Sequence, residues 1–197
     1  MSLPRKISRA LRKQSKLSLR PEILLTPNIP RPMHGVNPRT IMGTSWWNQE
    51  RRKAYKASSY RCLACGVSKF DALYRKWLEA HELYSVDYQK GRLVYLETVA
   101  LCYACHNYIH DGRLQALLDT QEITHEKYVK IIQHGNRVLQ QAGLSRPPRH
   151  VREADISDML LNGLVAPWKD WRLVFKGKLY PPRFKTEKQW QKAMRKR

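Results

Sequence analysis

The chain has 197 residues, 42% of them hydrophobic, with 37 Lys and Arg against 16 Asp and Glu, a formal net charge of +21 and an isoelectric point near 10.2. That length allows one modest domain with extensions, or two small ones, and the charge argues for a polyanionic partner rather than a merely soluble basic protein, while saying nothing about fold. No apolar run reaches 18 residues and the basic first 20 residues contain no apolar signal core, so neither a membrane-spanning helix nor a secretory signal is expected.

The charge is uneven. Residues 1–60 hold 13 basic against 2 acidic side chains, residues 61–144 hold 10 against 9, and residues 145–197 hold 14 against 5. The middle, 61–144, is thus nearly neutral between basic flanks suited to follow phosphates, and the chain is expected to divide into a basic, Pro-rich N-terminal arm (1–45), a chemical module (46–144) and a basic C-terminal extension (145–197).

In chain order, residues 1–20 read as a basic arm with helical potential. Pro21, Pro27, Pro30, Pro32 and Pro38, with Gly35 and Gly43, make residues 21–45 an extended strap, because proline lacks an amide donor and biases its predecessor to extended geometry. "WWNQERRKAYKAS" (46–58) predicts a helix capped by Ser45, with Trp46, Trp47, Ala54 and Tyr55 toward a core. "RCLACG" (61–66) is a tight cysteine turn. "LEAHELYSV" (78–86) and "LVYLETVAL" (93–101) are strands joined at "YQKGR" (88–92). A helix is expected over 102–119, and a second over 124–143 with Tyr128, Ile131, Ile132, Val138, Leu139 and Ala142 on its apolar stripe and Gly143 as its stop. After the linker "SRPPRH" come a short helix near 153–162, a hairpin "WRLVFKGKLYPPRF" turning at Lys176-Gly177, and a terminal helix from Thr186. There is no internal repeat.

The four cysteines form two Cys-x-x-Cys pairs, Cys62/Cys65 and Cys102/Cys105, with 36 residues between them. In a reducing, intracellular setting such pairs read as metal ligands rather than disulfides. Each lets a tight turn aim two sulfurs at one ion, and the second opens an expected helix, whose positive end favours thiolates. The expectation is one structural Zn²⁺ on four thiolates, one pair from a turn and one from a helix start, which is the treble-clef pattern.

Four cysteines complete a zinc shell, so His106 and His110 are surplus to it. At i and i+4 they share one helix face and can chelate a second divalent ion. His81 lies on the strand between the cysteine pairs and points to the same place if the hairpin packs on the helix. The other histidines, His34, His125, His134 and His150, have no companions at ligand spacing and read as surface or capping residues.

The stretch "CLACG…LEAHELY…LETVALCYACHNYIH", over about residues 60–112, resembles the HNH nuclease family. The resemblance implies an α+β fold with a small treble-clef, ββα-metal core. It implies His81 as the general base that activates water, and His106 and His110 as ligands of a catalytic Mg²⁺ or similar ion that stabilises the phosphate and the leaving 3′ oxygen. Where members often carry Asp or His before the strand histidine, this chain has Ala80; Glu79, on the face of His81, is then the candidate third ligand, with Glu82, on the opposite face, as the alternative. Where members carry Asn before the third cysteine, this chain has Glu97, expected to orient the imidazole of His81. The implied function is a metal-dependent endonuclease acting on DNA, with RNA open as a partner. Arg51, Arg52, Lys53 and Arg113 are candidate phosphate contacts. A non-catalytic zinc module binding nucleic acid shares the cysteines and the charge but needs no histidine trio; a structural part of a nucleoprotein assembly explains the trio as poorly. Trp46, Trp47, Trp168, Trp171 and Trp190 are expected mainly to anchor strap and hairpin to the core.

Overall fold

The computed structural model describes residues 17–195. Most of the basic arm expected over residues 1–20, the end of the terminal helix and the side chain of His150 lie outside the described residues. The described chain is α+β, with six helices and one four-stranded sheet.

The strap is more structured than expected. Prolines open two 3₁₀ turns, Pro21–Leu25 and Arg31–Met33, which bury Ile23, Leu24 and Met33. Helix α1 (Pro38–Ala57) begins well before Ser45. The Asn37 side chain accepts from the Thr40 amide at 2.9 Å and the Thr40 hydroxyl accepts from the Asn37 amide at 3.1 Å. This capping box sets the start, and Pro38 occupies the first helical position, where a missing N–H is harmless. The proline read as a breaker is therefore a helix opener. Gly43, at φ 80° and ψ 177°, divides the element into two helices, and the arm-to-module boundary drawn at 45/46 falls inside it.

Strands β1 (Glu79–Asp87) and β2 (Arg92–Leu101) pair antiparallel, with His81 opposite Val99 and a bulge between Leu83 and Tyr84. The C-terminal hairpin is present as β3 (Arg172–Phe175) and β4 (Lys178–Tyr180). It turns through Lys176 (φ 49°) and Gly177 (φ 70°), the two left-handed residues that a tight hairpin turn requires. β3 joins the free edge of β2 in parallel, from Arg92 opposite Arg172 to Val94 opposite Val174, so the sheet order is β1-β2-β3-β4.

The single helix expected over 102–119 is two, α2 (Tyr103–Ile109) and α3 (Asp111–Asp119), with His110 between them at φ −87° and ψ 54°. The break places Asp111 at the start of α3, where a helix favours negative charge. There Arg152 binds it directly and Arg146 lies 3.7 Å away. Helix α4 (His125–Gln141) is capped by Thr124, and Gly143 (φ 70°) follows it as expected. Ile131, Val138 and Leu139 are buried and Tyr128 and Ile132 half-buried, whereas Ala142, past the end of the helix, is exposed. Helices α5 (Arg149–Leu161) and α6 (Glu187–Met194) complete the chain, the latter capped by Thr186.

Two cores result. The larger packs the cysteine turn, the β1–β2 hairpin, α2 and α4 around Leu101, Leu114, Ile131 and Leu139, each at most 1% exposed. Burial of each such side chain stabilises by about 1.5–3 kcal/mol. Here α4 crosses α2 very closely: a Cβ built on Gly135 would lie 2.5 Å from Tyr108 Cε2, and nearer still to Cγ and Cδ2. The smaller core joins Met33, Tyr84, Leu93, Trp171, Leu173 and Phe175, with Trp46 against it. It draws on all three segments of the sequence. Trp171 is its buried centre, Trp168 donates to the Phe184 carbonyl at 2.7 Å, and Trp190 donates to His34 Nδ1 at 3.1 Å. Trp47 is half-buried under the Arg39 guanidinium.

Candidate metal centres

The cysteine turn is built by the backbone. The Gly66 amide returns to the Cys62 carbonyl at 2.8 Å, the Leu63 amide donates to Ala100 on β2 at 2.8 Å, and Arg61 bridges Ser68. Gly66 (φ 77°) supplies the left-handed residue that closes the turn. Cys102 is the N-cap of α2 and accepts from the Cys105 amide. The four sulfurs lie within 4.8 Å of one another, Cys65 and Cys102 at 3.8 Å, and none is in a disulfide. Tetrahedral zinc at about 2.3 Å from each sulfur requires separations of about 3.8 Å, so the four cysteines could hold a zinc ion. Sharing of hydrogen bonds from Cys102, Cys105 and Cys65 holds the Cys62 thiol well below its ordinary pKa, while the same closeness and burial push Cys105 up. Four such groups ionise together only around a cation.

His134 corrects an expectation. It is neither a surface residue nor a cap: its Nε2 lies 3.3 Å from Cys105 Sγ, placed to donate to a thiolate from outside the four sulfurs. The signal was in the sequence, because position 134 falls on the apolar stripe of α4 between Ile131 and Val138. His34 is likewise half-buried between Ile29 and Trp190, whereas His125 is exposed at the first turn of α4, as expected.

The second cluster is made of His81 from β1 and His106 and His110 from α2 and its end. One ring nitrogen of each lies within 4.8 Å of those of the other two. The His110 amide still bonds to the His106 carbonyl at 3.3 Å, so the helix break preserves the shared face. His81 Nδ1 is 3.2 Å from His110 Nε2, while His81 Nε2 is buried with no partner. His106 Nδ1 is 2.6 Å from Glu79 Oε2, and Glu79 Oε1 accepts from Arg75 at 3.0 Å. Burial, then the charges of His106 and His110, keep His81 well below its ordinary pKa. Burial is also the main cause that lowers His110 to about 4. Burial opposes ionisation of Glu79, but the hydrogen bond and charge of His106, with Arg75 and Arg113, outweigh it and lower its pKa. At pH 7 the imidazoles of His81 and His110 are therefore neutral beside the ionised Glu79 carboxylate, and neutral imidazoles and carboxylates are the forms that bind a divalent cation.

The structure brings His81, His106, His110 and Glu79 together but not Glu97. Glu79 stands behind His106 with both oxygens engaged, rather than among the ligand atoms. Glu97 is about half exposed and accepts from Arg20 at 2.5 Å, so the histidine paired with His81 is His110. Arg20, 77 positions away in sequence, took the carboxylate that was expected to orient the base. Arg113 donates to Asn107 at 3.4 Å beside the cluster. Arg51 donates to Asn48 at 2.8 Å, Lys53 pairs with Glu50 at 2.7 Å, and Arg52 is exposed.

No family model, curated protein or solved structure matches this chain at a significant level. Among the described residues, no helix is long and apolar enough to cross a membrane.

Proposed function

We propose that the protein is a metal-dependent endonuclease that hydrolyses phosphodiester bonds in DNA, with the treble-clef, ββα-metal architecture of HNH nucleases. The observation that carries this reading is the convergence of His81, from a strand, on His106 and His110, beside a separate cluster of four cysteines. A module that only binds nucleic acid has no use for a second buried cluster with an unpartnered imidazole nitrogen, which costs about 1–3 kcal/mol when left unsatisfied.

His106 and His110 are the residues that would hold the divalent ion, which would supply charge stabilisation to the phosphate and the leaving oxygen. Glu79 accepts the Nδ1–H of His106 and turns Nε2 toward the cluster, in the carboxylate–histidine arrangement common behind metal ligands. It is a positioning residue, and Arg75 holds it in turn. His81, neutral at pH 7, has a ring lone pair free to take the proton of the attacking water. The cysteines would shape the scaffold, and Arg113, beside the cluster, would contact a phosphate oxygen. The 3.2 Å approach of His81 Nδ1 to His110 Nε2 favours a second reading, in which His81 is a third ligand rather than the base.

The test uses supercoiled plasmid and its single-stranded circular form, the full chain, and Mg²⁺, Mn²⁺ or Zn²⁺. Wild type should nick the plasmid, and His81→Ala should lose about 10²–10⁴-fold in rate. If the variant still binds its second ion, His81 is the base; if that ion is lost, His81 is a ligand. Intact plasmid and intact single-stranded circles with every metal, from zinc-loaded wild type, overturn the nuclease reading in favour of a non-catalytic zinc protein that binds nucleic acid.

A further inference from the structure

Five of the six tryptophans are packed or half-covered, but Trp77 is 54% exposed. It lies on the segment between the cysteine turn and β1, with Tyr60 at 43% and Phe70 at 68% exposed. Cations interleave with them: Lys69 sits 5.0 Å from the Tyr60 ring and 4.6 Å from Phe70, and Arg75 sits 5.2 Å from Trp77. Tyr60 and its neighbour Ser59 are held at φ 56° and 52°, a conformation that bulky residues rarely adopt and that clusters at binding sites.

Of these, Tyr60, Lys69 and Trp77 line a cleft of about 600 Å³ together with Arg51, Tyr55, Leu78 and Glu79. The size suits a small planar ligand. Glu79 is the one acid in the lining, and Arg75 already neutralises it, so the remaining charge is positive. Glu79 also fixes the cleft's position, because the same carboxylate contacts His106. The cleft opens directly beside the histidine cluster.

We infer that this cleft receives an unpaired base of a nucleic-acid strand, so that the substrate of the proposed nuclease is single-stranded or contains an unpaired stretch. Exposed aromatic faces gain stacking energy only from bases whose own faces are free, which a closed duplex does not offer. Lys69 and Arg51 supply the matching charge for the flanking phosphates. An acidic, aromatic-binding peptide would use the cations but has no need of a site next to the histidines. The inference rests on the nuclease reading for its substrate, but binding can be measured without cleavage.

The experiment is fluorescence anisotropy with a labelled single-stranded 12-mer and the duplex of the same sequence, without added divalent ion, on zinc-loaded full chain. Wild type should prefer the single strand. Trp77→Ala should weaken single-strand binding about tenfold and duplex binding less than twofold, while Trp77→Phe retains most of the affinity. Circular dichroism and zinc content of the variants control for folding, which the exposure of Trp77 protects. Equal affinity of wild type for both DNA forms, an equal loss on both for Trp77→Ala, or no loss at all overturns the inference. So does a preference for an acidic peptide over the single strand. A nuclease that fails here but still nicks plasmid acts on duplex, so the two readings fail separately.

Discussion

Gly135→Ala should destabilise the protein, although it replaces glycine with the best helix former. In an open helix interior this change gains about 1 kcal/mol. On α4 the new methyl would sit 2.5 Å from Tyr108 Cε2 and closer to Cγ and Cδ2, about 1 Å or more inside a normal carbon–carbon contact. The ring has little room to swing. Its hydroxyl donates to Asn136 at 2.7 Å and the Arg146 guanidinium lies 5.0 Å over its face. Cγ, moreover, belongs to the root of the side chain. Relief requires α4 to move off α2, at about 1–3 kcal/mol for overpacking and about 1 kcal/mol for the strained Tyr108–Asn136 bond. After the propensity gain, the net loss is about 1–3 kcal/mol. Gly112→Ala is the internal control: it is helical and nothing lies within 4 Å of its added Cβ, so it should be neutral or stabilise by up to about 1 kcal/mol. Urea unfolding followed by far-UV circular dichroism, with zinc content matched, reads both. Gly135→Ala as stable as wild type, or indistinguishable from Gly112→Ala, would refute the packing argument. Tyr108 lies between His106 and His110, so the same variant should also lower any activity of the histidine cluster.

Cys102→Ser should abolish zinc binding and unfold the protein, because the binding free energy of structural zinc sites, about 10–16 kcal/mol, matches or exceeds the whole stability of an ordinary domain, about 5–15 kcal/mol. Metal analysis and calorimetry check this, and retained zinc with wild-type stability would contradict it. Acidification should release α6. An indole only donates, so His34 must accept from Trp190 at Nδ1 and give its Nε2 proton to the Ile29 carbonyl. Burial, and then the Arg31 charge, lower the His34 pKa against the pull of that carbonyl. The unfolded chain therefore takes up the proton first, and this contribution to stability is full above about pH 6.5 and declines as pH falls from there toward the folded pKa. The Trp190 indole N–H resonance should shift between pH 7.5 and 5, and His34→Ala should remove the dependence; an unchanged signal contradicts the assignment.

The parts of the fold that were legible in the sequence are those set by local pattern. Alternation marked β1 and β2, the Lys176-Gly177 pair marked the hairpin, and Thr124 and Thr186 marked two helix starts. The paired cysteines and the His-x-x-x-His spacing brought both clusters into view, because ligand chemistry demands that spacing. What escaped was fixed by partners far away in sequence. Nothing local tells that β3 will pair with β2, that Arg20 will capture Glu97, or that Arg152 and Arg146 will hold Asp111 at a helix break. Two misses were readable. Asn37-Pro38 with Thr40 is a capping box, and His134 lies on the buried stripe of α4. Proline was read as a breaker and histidine as a surface residue, and position overrode both habits.

The parallel pairing of β3 with β2 also bears on how the chain matures on the ribosome. Every cysteine and histidine of the two clusters, and the larger core, is in place once residue 144 has emerged. The edge of β2 at Arg92–Val94, and the smaller core behind it, must wait for residues 165–180. During synthesis the residues of both clusters are thus available while the strand edge is still open, and an open edge is a template for pairing with another chain. Arrival of the C-terminal hairpin covers that edge and leaves the three-residue β4 as the sheet's edge on that side, and short edge strands are less open to such pairing.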